Sequence, residues 1–136
     1  MKLLMFEARH FWWKSFSKTL EDVPQMDVEE TVADAVVVFL HAEEEDEAKG
    51  NKLLTKTLKN IKWLANKRDL KNIVLHSFTH LSDSTASSDY AQTFLESAAE
   101  RLRGTGYHVW LTPFGYFCEW ELSVHGESLA KVFKAL

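Results

Sequence analysis

The segment DAVVVFLHA, residues 34–42, is a nearly continuous apolar run with the length of a β-strand. A strand with one face in water alternates apolar and polar residues, whereas this run places apolar side chains at consecutive positions. Both faces of such a strand have to be covered by other parts of the protein. The run therefore predicts a central strand within a sheet that is packed on both sides.

The rest of the chain predicts further strands that alternate with two helices. Residues 51–66 and about 84–103 carry apolar residues at helical spacing, and Gly104 is a suitable helix stop. We expect the other strands at 2–8, 10–16, 72–78, 107–112 and 117–124, with a short terminal helix at 127–136. The predicted fold is α/β (α+β): a single domain, residues 1–136, in which helices flank a mixed β-sheet.

The number of cysteines and the first residues of the chain indicate the compartment in which the protein is expected. The chain has 136 residues and one cysteine, which excludes an internal disulfide and a cysteine-based zinc site. The apolar run at the start is interrupted by Glu7 and Arg9, and it is too short to span a membrane. We find no targeting segment and expect a cytoplasmic protein.

Charge is distributed unevenly along the chain. Residues 21–47 hold eleven acidic and no basic residues, whereas residues 49–71 hold eight basic residues and one acid. On a helix over 51–66, one face opposite the leucines carries Lys52, Lys56, Lys59 and Trp63. Lysines can contact phosphates while a tryptophan stacks on a base, so this face is a candidate nucleic-acid-binding surface. A solvated basic face, or a tryptophan packed at a subunit contact, explains the same pattern.

The segment HSFTHLSDS, residues 76–84, ends the fourth predicted strand in a polar loop, a place where functional residues often lie. The spacing of His76 and His80 suits two metal ligands on a helix, but it loses that meaning at a strand end. Ser82, His80 and Asp83 contain the residue types of a catalytic triad, yet adjacent residues rarely form one. Ser82 and its neighbours also suit the capping of the next helix.

The segment TPFGYFCEW, residues 112–120, combines a bend with several aromatic residues. Pro113 restricts one backbone angle, and Gly115 permits a sharp turn or a close backbone approach. This segment is suited to form the wall of a small pocket, and a β-bulge that closes the core is the alternative.

Three segments together, HSFTHLS, TPFGYFCEW and SVHGESLAK, resemble the archaeal threonyl-tRNA synthetase editing domain. The resemblance implies a D-aminoacyl-tRNA deacylase-like fold and hydrolysis of the ester in mischarged seryl-tRNA(Thr). It also implies a homodimer without metal or cofactor, with a pocket for the aminoacylated terminal adenosine of the tRNA. Because no synthetase core follows residue 136, the resemblance suggests an excised domain or a relative that acts in trans beside a separate synthetase.

The resemblance also assigns residues. His80 matches the family histidine and is the candidate catalytic residue, and the implied substrate pocket consists of Thr79, Pro113, Phe114, Gly115, Tyr116, Phe117 and Cys118. Cys118 replaces a family lysine, and Lys131 replaces a family glutamate. Strand alternation places Cys118 on the apolar face with Trp120, where we expect a neutral, unreactive thiol. A tRNA- or small-ligand-binding module that has lost catalysis is therefore the alternative function.

Overall fold

Six strands and two α-helices make up the fold, and the computed structural model describes all residues, Met1–Leu136. The strands are β1 (Lys2–Lys18), β2 (Glu29–His41), β3 (Asn72–Ser77), β4 (His108–Leu111), β5 (Tyr116–Val124) and β6 (Lys131–Ala135). The helices are α1 (Asn51–Lys67) and α2 (Ser88–Gly104), and two 3-10 helices cover Glu44–Lys49 and Ser128–Ala130. No helix is long and apolar enough to cross a membrane.

The strands form one mixed sheet in the order β4-β3-β2-β1-β5, and β6 also pairs with β1. β2, β3 and β4 run parallel to one another, while β1 is antiparallel to β2, β5 and β6. The carboxyl ends of the three parallel strands therefore meet at one edge of the sheet. In open sheets with parallel strands, this edge is where ligands usually bind.

The predicted central strand is confirmed, and both of its faces are covered. Val36 and Val38 are fully buried in the larger core, which α1 and α2 form with one face of the sheet. Val37 and Phe39 are buried in a second core on the opposite face, together with Phe11 of β1. The continuous apolar run of β2 thus results from two separate cores that meet on one strand.

Both predicted α-helices are present, although α2 begins later than the periodicity indicates. Its first residue is Ser88, because the Ser87 hydroxyl accepts a hydrogen bond from the Tyr90 N–H at 3.2 Å and caps the helix. Ser84 lies outside the helix, where its carbonyl accepts a hydrogen bond from His41 at the end of β2 and its hydroxyl accepts one from the Glu44 N–H. The acidic residues that follow β2 lie largely in the 3-10 helix Glu44–Lys49.

The expected division of residues 2–16 into two strands is wrong, since β1 is continuous over 17 residues. The register with β5 shifts between Ala8 and His10, but pairing with β2 continues on both sides of this point. Arg9 and His10 are exposed, so the polar residues that suggest a break lie on the outer surface of a continuous strand.

The expected terminal helix is also wrong. After the short 3-10 helix, the chain enters β6, which pairs antiparallel with the first residues of β1, Lys2–Phe6. Along β6 the exposed and half-buried residues alternate, and Val132 packs against the larger core. The amino-terminal part of β1 has an edge that β5 does not reach. Hydrogen bonding to that edge outweighs the local preference for a helix.

The strand assignment of residues 131–135 can be tested with the substitution Val132→Ala. In a helix this change increases stability by a few tenths of a kcal/mol, because alanine has the higher helix propensity. In β6 it removes a β-branched, half-buried side chain and should lower the free energy of unfolding by about 1 kcal/mol. Urea unfolding measures the difference. Val132→Ile serves as the control that keeps a β-branched residue, and increased stability of Val132→Ala would contradict β6.

Candidate functional site

A cavity of about 380 Å³ lies at the carboxyl ends of the parallel strands, and we refer to it as the pocket. Leu40 and Ala42 contribute from the end of β2, residues 76–80 from the end of β3, and residues 112–118 from the segment that connects β4 to β5. The pocket is closed further by residues 19–20 and by residues of the loop and first turn around α2. The sheet topology thus brings segments that are far apart in sequence around one space.

All eight residues expected in the catalytic site and the substrate pocket line this cavity. They are His80, Thr79, Pro113, Phe114, Gly115, Tyr116, Phe117 and Cys118. The structure therefore brings the two predicted segments together, although they are more than thirty residues apart in the sequence. The catalytic and binding roles of these residues stay predictions.

The loop that carries His80 is attached to the end of β2 by backbone hydrogen bonds. The Phe78 N–H donates to the Leu40 carbonyl at 3.0 Å, and the Ala86 N–H donates to the Ala42 carbonyl at 2.9 Å. The first bond extends the parallel β2–β3 pair by one residue beyond β3, and the second attaches the far end of the loop to Ala42. The backbone on both sides of His80 is therefore held by the sheet.

His41, which lies between these two attachment points, bonds to the same loop through its side chain. Its imidazole is fully buried, and its Nδ1 accepts a hydrogen bond from the Leu81 N–H at 3.0 Å. Nδ1 is consequently unprotonated, so Nε2 carries the ring proton and donates to the Ser84 carbonyl at 2.7 Å. The imidazole of His80 is exposed, makes no hydrogen bond and contacts only the ring of Phe78 edge-on. The loop thus presents a free imidazole on a fixed backbone.

Glu43 links the same loop to the amino terminus of the chain through one carboxylate. Its carboxylate accepts hydrogen bonds from the Met1 ammonium at 2.5 Å, the Lys2 ammonium at 2.9 Å and the Ser82 hydroxyl at 2.6 Å. Burial by itself raises the pKa of Glu43, but the hydrogen bonds from the Met1 ammonium, Ser82 and Lys2 outweigh it and hold the pKa at about 2. The carboxylate therefore stays charged down to strongly acidic pH.

The turn at Gly115 forms the opposite wall of the pocket. Gly115 has φ of 79°, and its carbonyl accepts a hydrogen bond from the Thr19 N–H at 2.7 Å. The Tyr116 hydroxyl donates to the Pro24 carbonyl at 2.7 Å and accepts from the Met26 N–H at 2.8 Å. The turn is therefore fixed against the polar connection between β1 and β2. The register between β1 and β5 also shifts between Ser15 and Ser17, opposite Phe117 and Cys118, so an irregularity of the β-bulge kind accompanies the pocket wall.

The pocket contains no carboxylate, lysine or arginine among its lining residues. Its ionisable side chains are His76, His80, Tyr116 and Cys118. Burial raises the pKa of the Cys118 thiol, so the sulfur is neutral near pH 7, as strand alternation predicts. No group of three or more histidine, cysteine, aspartate or glutamate side chains is arranged to hold a metal ion.

His76 was not expected among the pocket residues. It is 7% exposed, and its Nδ1 lies 2.8 Å from the Thr112 hydroxyl. Burial lowers the pKa of His76 from its usual 6.5 to about 4, so the ring is neutral near pH 7. Alternation along β3 places His76 on the same face as the buried Val74, and this is the sequence signal that could have assigned it to the interior.

The basic face of α1 lies apart from the pocket. Lys52, Lys56 and Lys59 are exposed, and Trp63 is 42% exposed on the same helix. The Trp63 ring has the ammonium of Lys67 at 4.6 Å from its centroid and the ammonium of Lys134, from β6, at 5.5 Å. The predicted separation of a lysine face from a leucine face is therefore observed, and β6 extends the basic surface.

Sequence comparison defines the family. A family model described as the archaea-specific editing domain of threonyl-tRNA synthetase matches residues 1–136. The chain belongs to this family. Threonine–tRNA ligases of Methanosphaera stadtmanae and Staphylothermus marinus are each 31% identical over the whole of this chain. The chain spans 22% of the length of each of these two relatives.

Structural comparison supports the fold. The c-Myc DNA Unwinding Element Binding Protein superimposes with a TM-score of 0.71, covering 100% of this chain and 99% of its own. At 15% sequence identity this similarity shows the fold alone. It confirms the predicted single-domain, mixed α+β fold.

Within this family, the two departures noted from the sequence fall at different places. Cys118, where the resemblance implies a lysine, lines the pocket. Lys131 is the first residue of β6, outside the pocket lining, and its ammonium bonds to the His125 carbonyl at 3.1 Å. Lys131 therefore adds no positive charge to the pocket.

The turn at Gly115 provides a test of the pocket wall. An alanine Cβ at this position would lie 2.7 Å from Val23 Cγ1, and alanine disfavours positive φ. We expect Gly115→Ala to lower the free energy of unfolding by about 1–3 kcal/mol and to release the turn from the β1–β2 connection. Gly126→Ala is the matched control, since a Cβ there meets no atom within 4 Å. Equal stability of the two variants in urea unfolding would show that this wall is not constrained.

The buried imidazole of His76 predicts a pH dependence of stability. Between its usual pKa of 6.5 and its folded pKa of about 4, the unfolded chain binds a proton that the folded chain does not. Above pH 6.5 the neutral ring therefore makes its full contribution to the free energy of unfolding, and this contribution decreases as the pH falls. We expect a loss of about 2 kcal/mol between about pH 7.5 and about pH 5, measured by urea unfolding. His76→Phe should abolish this part of the pH dependence. If the pH dependence of stability is unchanged in that variant, His76 is not its cause.

Proposed function

We propose that the chain is an aminoacyl-tRNA deacylase for proofreading, which hydrolyses the ester of mischarged seryl-tRNA(Thr) in the cytoplasm. The observation that carries the proposal is the convergence of His80 with the 113–118 segment on one pocket, in a chain of the editing-domain family. The terminal adenosine and its esterified amino acid would occupy this pocket. Serine and threonine differ by one methyl group, which binding alone distinguishes weakly, so a second hydrolytic site has a physical purpose.

The lining residues limit how the pocket can activate water. With no carboxylate, lysine or arginine present, the available groups are the free imidazole of His80 and the hydroxyl groups of the substrate itself. A terminal ribose hydroxyl of the tRNA lies next to the ester and can position the attacking water. His80, whose ring makes no bond within the protein, would orient that water or the ester by hydrogen bonding.

A second function, binding without hydrolysis, is favoured by the thiol at Cys118. The resemblance implies a lysine there, and an ammonium in an enclosed pocket stabilises developing negative charge by several kcal/mol. Here the thiol is neutral, and no other cation lines the pocket. A module that holds aminoacyl-tRNA without cleaving it would result if His80 and the substrate hydroxyl cannot compensate.

We further propose that tRNA contacts the basic face of α1. Lys52, Lys56 and Lys59 would contact phosphates, and Trp63 would stack on a base. The proximity of Lys67 and Lys134 to the Trp63 ring supports this proposal, because it extends the positive surface around the aromatic side chain. The implied assembly is a homodimer that acts in trans, beside a separate synthetase.

Deacylation assays across a panel of mischarged tRNAs test the function. We expect hydrolysis of seryl-tRNA(Thr) and a reduction of about 10²–10³-fold for His80→Ala, since a positioned hydrogen-bonding group is lost. Cys118→Lys should increase the rate by restoring the pocket cation, whereas Cys118→Ser should change it little because the thiol is not a nucleophile. No hydrolysis of any ester by the wild type or by Cys118→Lys would support the binding module. A covalent acyl-thiol adduct would refute the inert role of Cys118.

The basic face is tested by the salt dependence of tRNA binding. Each phosphate contact adds to the slope of affinity against salt concentration, so the triple variant Lys52→Glu, Lys56→Glu, Lys59→Glu should bind more weakly and with a smaller slope. The matched control introduces the same charge change at three exposed positions on other elements: Arg9→Glu, Lys14→Glu and Arg101→Glu. Equal losses in the two triple variants would indicate a general charge effect and would exclude a specific surface on α1.

A further inference from the structure

The pocket contains one buried polar pair. Of the polar residues that line it, only His76 and Thr112 are buried, each at 7% exposure. Their side chains contact each other at 2.8 Å although they are 36 residues apart in sequence. Aromatic rings surround His76, with the centroid of Phe39 at 5.0 Å and that of Phe78 at 6.2 Å. A polar pair in such apolar surroundings is costly to bury unless its hydrogen bonds are completed.

The second ring nitrogen of His76 is available to a bound molecule. The Nδ1 atom is paired with Thr112, and Nε2 has no hydrogen-bond partner within the protein. The fully enclosed side-chain atoms without a partner belong to Glu7, Trp13 and Arg68, so Nε2 of His76 is not among them and keeps accessible surface. His76 lines the pocket, and the pocket is therefore the space into which this nitrogen can bond.

The chemistry of the pair selects the kind of group that it can bind. A threonine hydroxyl can donate to Nδ1 or accept from it, so Nε2 can be either an acceptor or a donor while the ring stays neutral. A hydroxyl group of a ligand matches both states, because it also donates and accepts. A methyl or hydrogen in the same place would leave Nε2 without a partner in a water-poor site.

We propose that His76, oriented by Thr112, makes the pocket select hydroxyl-bearing over apolar small amino acids by binding the side-chain hydroxyl of the esterified amino acid. In an aminoacylated adenosine the adenosine continues into the tRNA, so the amino acid is the free end that can reach the most buried part of the pocket. The substrate class is thus the ester of a small hydroxyl-bearing amino acid, in contrast to alanyl or glycyl esters. This inference rests on the proposed function, and it names the group by which the substrate is recognised.

Binding of two non-hydrolysable analogues, 3′-seryl-amido and 3′-alanyl-amido adenosine, tests the inference without requiring hydrolysis. By isothermal titration calorimetry, the wild type should bind the seryl analogue at least about tenfold more tightly than the alanyl analogue. His76→Phe should reduce this ratio to about one, because the hydroxyl loses its partner. His76→Gln should retain part of the preference for the seryl analogue. Thr112→Val should lower this preference, because the imidazole of His76 is no longer oriented by a hydrogen bond. The matched control His108→Phe removes an exposed histidine and should change neither affinity.

Each outcome has a defined meaning. An equal ratio in the wild type and His76→Phe overturns the inference, because the selectivity then does not depend on the imidazole. Failure of the wild type to bind either analogue overturns both the inference and the proposed function. Selective binding through His76 without hydrolysis of seryl-tRNA(Thr) supports the inference and contradicts the deacylase function. If His76→Phe does not fold, a ratio unchanged in Thr112→Val overturns the inference, and a lowered ratio supports it.

Discussion

The packing of β2 on both of its faces is the constraint on which the rest of the structure depends. Val36 and Val38 require the two helices on one side, and Val37 and Phe39 require a second core on the other. This arrangement places β2 in the middle of the sheet, with an antiparallel neighbour on one side and parallel strands on the other. The pocket forms where the parallel strands end.

The same strand also positions the candidate catalytic loop. From Leu40 to Glu43, each residue at the end of β2 bonds to the loop between β3 and α2 through its backbone or its side chain. Most of these groups are buried, so the loop backbone is held at several points while the imidazole of His80 remains free. Preorganisation of this kind lets a single side chain contribute to catalysis without a costly rearrangement.

Local sequence patterns predicted the elements whose stability is largely local. The leucine spacing of α1 and the apolar run of β2 were sufficient to predict these two elements, because each pattern follows directly from which of its own side chains are buried. The terminal segment was mispredicted because its pairing partner, Lys2–Phe6, lies at the other end of the chain. The division of β1 failed for a related reason: Arg9 and His10 are polar but exposed, and the continuous pairing that spans them is a long-range property.

The sequence by itself determined the family and the segments that line the pocket, because Gly115 and the residues around His80 form recognisable local motifs. Only the tertiary structure decided that these motifs face one cavity, since the parallel order of β2, β3 and β4 sets which loops meet. It also decided the pairing of His76 with Thr112, which no local pattern indicates. A contact across 36 residues depends on how strands are ordered in the sheet, and strand order results from the packing of the whole chain.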